Sequence, residues 1–166
     1  MSKPTFDEAL RVIYQEARYL DHQQWDDWLS LFAPDCTFWV PSWRNEHELI
    51  EDPTAEISFL YADARRTLEE RVRRLRSGKT LTAMPLPRTV HMISNPVEVE
   101  ASAPERTRIA SSWLNNLFNP RTYEVATLFG HYEHELVRTE AGIVIQVKKI
   151  TLCNDRVPTV LDIYSV

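Results

Sequence analysis

An α+β fold is predicted for this chain, with helices leading and long antiparallel strands following. Apolar residues recur at helical spacing over the first twenty positions, and alternating, β-prone segments fill most of the chain after residue 88. No strand–helix–strand alternation of the kind that builds a parallel sheet is visible. Strands this long suit a strongly curved antiparallel or mixed sheet wrapped around the N-terminal helices. Such a cone encloses a cavity that could hold a site. At 166 residues the chain is expected to form one domain, 1–166.

The first helix opens on a capping box, Thr5 as N-cap and Glu8 three residues on, and carries the stripe Phe6, Leu10, Ile13, Ala17 and Leu20. Asp21 is expected to cap a second, shorter helix with Trp25, Trp28, Leu29 and Phe32 on one side, stopped by Pro34. Residues 36–40 are β-prone and closed by Pro41, and a polar loop over 42–54 contains Trp43. That indole is either packed back on its own domain or buried by another subunit. Leu68, Val72 and Leu75 share one face of a central helix that Gly78 ends, with basic side chains in its last turn where they suit the helix dipole. Pro85 and Pro87 hold the chain extended into a strand over 88–94, broken at Asn95 and Pro96. A short strand (97–100), an alternating one with Ile109, Trp113 and Leu117 on one parity, a long one over 123–137 with Gly130 as a bulge or kink, and a return strand over 143–153 complete the sheet. Residues 159–164 read as a short strand or irregular tail.

The net charge of −5 disfavours a nucleic-acid binder, because the whole chain would repel phosphate. The arginines at 65, 66, 71, 73, 74 and 76 are therefore a local feature: a solvated face, or an interface with an acidic partner or sister subunit. No apolar run approaches the ~20 residues of a membrane span, and the first ten residues lack the apolar core of a signal peptide. Cys36 and Cys153 do not make a disulfide framework, so a reducing, cytoplasmic setting is expected. Three widely separated glycines exclude a phosphate-cradling loop.

Few residues invite chemistry. His131 and His134 form H-x-x-H, but on a strand a separation of three puts them on opposite faces, which argues against a shared metal. His22, beside Asp21 at a helix junction, could pair with Tyr14 or Asp35 as an acid–base couple, or simply satisfy a backbone group. His91 lies on the strand after the central loop and could face a cone interior or a partner. No serine sits in a nucleophile elbow. Arg88 and Arg156 could pair with carboxylates in this chain or across an interface.

Several stretches nevertheless have a family look. They are Asp21, Trp25 and Trp28 through Phe32 leading to Asp35 through Val40; Leu68-Glu69-Glu70-Arg71-Val72 with Arg74 through Gly78; Pro87 through Asn95; and the ending Asn154 through Tyr164. This pattern, in order over nearly the whole chain, resembles the small (β) subunit of aromatic-ring-hydroxylating dioxygenases. Trp39-Val40-Pro41 with Trp43, Glu46, His47, Asp52 and Pro53 looks most like the benzoate, anthranilate and halobenzoate branch.

The resemblance implies an NTF2-like (cystatin-like) cone and a noncatalytic, structural role in an assembly of three large and three small subunits that dihydroxylates an aromatic carboxylate. It implies further that the Rieske [2Fe-2S] cluster and the mononuclear iron sit on the large subunit and that this chain holds no cofactor. The expected partners are the large subunit and other copies of this chain, as a trimer, with no nucleic acid and no membrane. Trp43, Arg65, Arg74, Pro85, Arg88, His91 and Arg156 are the expected interface residues. The composition agrees on one point: a Rieske centre needs paired cysteines and histidines, and a non-haem iron needs two histidines and a carboxylate, and no such motif is present. A competing possibility is a free-standing dehydratase or isomerase using His22 or His91 with Tyr14 or Asp35 inside the cone.

Overall fold

The computed structural model describes residues 2–78, 85–154, 157 and 161–166. Among these residues, three helices and six strands follow in the order α1 (Phe6–Asp21), α2 (Trp25–Ser30), β1 (Phe32–Val40), β2 (Leu60–Ala62), α3 (Arg65–Arg76), β3 (Arg88–Val99), β4 (Arg106–Phe118), β5 (Val125–Thr139) and β6 (Gly142–Leu152).

The capping box forms as the sequence predicts: the Glu8 amide donates to Thr5 Oγ1, and the Thr5 amide donates to the Glu8 carboxylate. Ala9, Val12, Ile13, Glu16, Ala17 and Leu20 are the buried side of α1. Leu68, Val72 and Leu75 are the buried side of α3, and Gly78, just past its end, takes φ +63°.

Two expectations about α2 fail. Its N-cap is Gln24, with no side-chain cap bond, because the Asp21 carboxylate is used elsewhere. It ends at Ser30, and Pro34 sits exposed inside β1, where the register against β6 shifts between Phe32 and Thr37. A proline is tolerated there because the irregularity leaves it no ladder bond to make. The Asn95–Pro96 break is likewise a bulge: β3 runs through it, Asn95 takes φ 53°, and the register against β4 shifts between Ser94 and Val97.

The strands make one mixed sheet in the order β2-β1-β6-β5-β4-β3. Pairing is antiparallel except for β1 beside β6. The α+β class and the helices packed on a mixed sheet stand, but the strongly curved cone does not. The sheet is open, with β2 at one edge and β3 at the other, and closure would require those edges to pair. At three residues β2 is too short to carry a ladder around, and the inner side of β3 is taken by α1. Trp28, Phe32, Phe38, Trp113 and Tyr132, each at most 3 % exposed, fill the space the cone was expected to leave open. Trp28 meets Phe32 edge to face, and Trp113 stacks on Tyr132 with centroids 5.0 Å apart.

No bulge falls at Gly130, since neither ladder of β5 shifts register there. A Cβ there would lie 1.9 Å from the Thr151 carbonyl oxygen, so the residue is glycine because β6 passes too close for a side chain. The described end of the chain, 161–166, is a turn rather than a strand. It is tied to β4 by Asn115 Nδ2, which donates to the carbonyls of Tyr164 and Ser165.

Candidate functional site

Two polar constellations lie between α1 and the sheet. In the first, Lys148 Nζ of β6 donates to both oxygens of Glu16 of α1, at 2.8 and 3.0 Å. Trp28 Nε1 donates to Glu16 Oε1 at 2.9 Å. Both charged side chains are at most 1 % exposed. The ammonium also lies over the rings of Tyr132, at 4.5 Å, and Phe38, at 5.4 Å. Burial pushes the Glu16 carboxyl up, but the Lys148 ammonium and the adjacent His134 outweigh it and hold the group well below the usual carboxylate range. Burial draws Lys148 below the ordinary lysine value, with Glu16 opposing.

His134 stands with Nε2 3.8 Å from Glu16 Oε2, an ionic distance too long for a hydrogen bond. Its pKa is lowered chiefly by burial, with Lys148 adding to that and Glu16 opposing it. The Tyr132 hydroxyl makes no hydrogen bond among the described residues, and burial raises its pKa well above the ordinary tyrosine value.

The second constellation ties the end of α1 to the edge strand β3. Asp21 accepts from the Thr89 hydroxyl at 2.8 Å and from the His91 amide at 3.0 Å, and its Oδ1 lies 2.6 Å from His91 Nδ1. Burial raises the Asp21 carboxyl, but the bonds from His91 and Thr89 lower it further, to a net value below normal. The His91 side chain is 1 % exposed, and Nε2 has no hydrogen-bond partner among the described residues.

Neither constellation is arranged for turnover. A general base must come within hydrogen-bond reach of a substrate proton, and Glu16, Lys148, His134 and the His91 ring are all sealed inside the protein. The acid–base pairs drawn from the sequence are not assembled either. His22 Nδ1 lies 2.8 Å from the Arg18 carbonyl, while Tyr14 and Asp35 are exposed. His131 and His134 are on opposite faces of β5, one exposed and one buried. Among the described residues, no group of three or more His, Cys, Asp or Glu gathers as a metal site. The donor set therefore does not fit a Rieske centre or a mononuclear iron, with Cys36 buried and both cysteines free.

The surface residues singled out from the sequence are spread widely. Trp43 is held on its own chain, its Nε1 donating to the Leu152 carbonyl at 2.7 Å. Arg65 Nη1 donates to the Phe32 carbonyl at 3.2 Å, and its Nε pairs with Glu69. Arg74 and Pro85 are exposed. Arg88 is exposed too, its guanidinium 5.7 Å from the Phe118 ring centroid. His91 is turned inward, and Arg156 lies outside the described residues. The buried ion pair was not anticipated, although its sequence signal exists. Glu16 falls on the stripe of Ile13, Ala17 and Leu20, and Lys148 shares parity with Ile150 and Leu152.

Known proteins place the chain. Toluate 1,2-dioxygenase subunit beta of Pseudomonas putida is 37% identical over 160 residues, covering 96% of this chain and 97% of that protein. Benzoate 1,2-dioxygenase subunit beta of Acinetobacter baylyi is 35% identical over 98% of this chain and 94% of its own length. The crystal structure of the beta subunit of benzoate 1,2-dioxygenase from Burkholderia mallei superposes with a TM-score of 0.80 at 26% identity, covering 100% of both chains. Residues 15–159 match the ring hydroxylating beta subunit family, and the chain belongs to it.

Proposed function

We propose that this chain is the noncatalytic small subunit of a dioxygenase that dihydroxylates an aromatic carboxylate, and that its task is to hold catalytic large subunits in register. The observation that carries the proposal is the full-length likeness to beta subunits named for toluate and benzoate dioxygenases, joined to an interior in which Glu16, Lys148, His134 and the His91 ring are sealed. The chemistry of iron and of the Rieske cluster belongs to the large subunit. Three large and three small subunits form the assembly, with the small ones as a trimer. Two free thiols suit a reducing, cytoplasmic setting, and no helix among the described residues is long and apolar enough to cross a membrane.

Trp43, Arg65, Arg74, Pro85, Arg88, His91 and Arg156 are the proposed contact residues. Reversing the charge at Arg74 or Arg88 tests the placement, since both are exposed. Arg74→Glu and Arg88→Glu chains should lose large subunit on co-purification at moderate salt. Retention equal to the parent chain in both would show that these arginines face solvent.

A further inference from the structure

The groove between α2 and α3 has a volume of about 480 Å³, an apolar floor of Leu29 and Val72, and a rim carrying Arg65, Arg73 and Arg76 with Asp26 and Glu69. Arg76 is engaged by Asp26 and Arg65 by Glu69, whereas Arg73 makes no ion pair among the described residues. The whole of α3 holds six arginines against two glutamates, a net +4 in a chain whose total is −5.

The opposite composition lies on the loop before β2. Residues 44–56 hold Glu46, Glu48, Glu51, Asp52 and Glu56 against one basic residue, Arg44, a net −4 with histidine neutral. Arg44 is spent inside the loop on Glu48 and Glu56, which leaves Glu46, Glu51 and Asp52 exposed without a cation among the described residues. Directly after them Ile57 is 88% exposed and Phe59 44%. The loop thus offers an apolar knob with an acidic flank, and the groove an apolar floor with a basic rim.

The two stand at opposite ends of β1 within one molecule. The Phe59 amide donates to the Val40 carbonyl, at the end of β1, whereas Arg65 of the groove binds the carbonyl of Phe32, at its start. Five residues of β1 between Phe32 and Thr37 stand against two of β6, so those points lie roughly 17 Å apart along the sheet. We infer that the α2–α3 groove of each copy receives the 57–59 knob and acidic loop of a second copy, head to tail. A heterologous contact of this kind closes into a ring when its rotation permits. The inference rests on the proposal that several copies work together, and it names the surfaces that join them.

Sedimentation of the isolated chain over a range of concentrations tests it, with Arg73→Glu, Glu51→Arg, Ile57→Asp and the combined Arg73→Glu/Glu51→Arg. The parent should self-associate, more weakly in about 1 M salt, where the Debye length shrinks to about 3 Å. Each single variant should associate about tenfold more weakly or worse, and the combined one should recover most of the loss, as a reversed but complementary pair does. Because Arg73, Glu51 and Ile57 are exposed, the variants keep the fold, and recovery in the combined variant separates a lost contact from a lost fold. A monomeric parent would overturn both the inference and the proposed trimer. Single variants that associate like the parent, or a combined variant no better than the worse single one, would overturn the inference alone. So would variants that self-associate normally but lose the large subunit, which would assign the groove to that partner.

Discussion

Replacing Glu16 with leucine would leave the Lys148 ammonium in the interior with no anion beside it. The ammonium holds both carboxylate oxygens at 3.0 Å or less, and neither side chain is more than 1 % exposed. Removing one member of such a pair costs about 3–5 kcal/mol, because the remaining charge is buried and uncompensated. Trp28 Nε1 would lose its acceptor as well, at about 1–3 kcal/mol. A domain has only about 5–15 kcal/mol in total, so Glu16→Leu should be marginally folded. Glu16→Leu combined with Lys148→Leu removes both charges, and apolar replacement of a buried pair is often neutral. That double variant should fall short of the parent mainly by the Trp28 cost, about 1–3 kcal/mol. Urea unfolding at pH 7, followed by tryptophan fluorescence at fixed chain concentration, measures all three. A Glu16→Leu chain within about 1 kcal/mol of the parent, or a double variant no more stable than Glu16→Leu alone, would refute the reasoning.

Other outcomes follow from the same contacts. The folded pKa values of Glu16 and Asp21 are both depressed, so their contribution is complete above the unfolded carboxylate values of about 4 and is lost as pH falls through the folded ones. Urea midpoints should drop steeply below about pH 4, and Asp21→Asn should flatten that acid limb. Asp21→Ala frees the end of α1 from β3, so the His91 amide should lose hydrogen-exchange protection ahead of the β4 and β5 amides. Gly130→Ala drives a methyl into the Thr151 carbonyl and should cost about 3 kcal/mol or more, read as a lowered melting temperature. Burial pushes the Cys36 thiol up to about 11, with Arg65 opposing, so alkylation at pH 8 should reach Cys153 first and Cys36 only on unfolding.

Local rules carried the helices well. The Thr5–Glu8 capping box, the Leu68, Val72 and Leu75 stripe and the left-handed Gly78 all depend on neighbours a few residues away, and all formed as read. The parity of Ile109, Trp113 and Leu117 likewise gave the buried face of β4. Irregularities inside strands were misread because proline and Asn-Pro look the same whether they end an element or bulge it. Pro34 and Pro96 both lie within strands. Sheet closure is a property of edges far apart in the chain, and no local pattern distinguishes a cone from an open sheet. Asp21 shows the same limit at the site. Its position suggested a helix cap, but the β3 partners that claim it, Thr89 and His91, lie about seventy residues on. Glu16 and Lys148 were legible one at a time, as charges on apolar stripes, but their pairing spans 132 residues and only the fold brings them together.

The central claim is that this polypeptide shapes an oxygenase without performing its chemistry. The most direct measurement is to produce the chain alone and together with the large chain of its own ring-hydroxylating system, then assay each preparation for iron, acid-labile sulfide and, with a supplied electron donor, oxidation of a panel of aromatic carboxylates. One complex whose iron and turnover depend on the large chain, beside a small chain with neither, is the predicted result. Iron held or an aromatic carboxylate oxidised by the small chain alone, or two chains that elute separately, would contradict it.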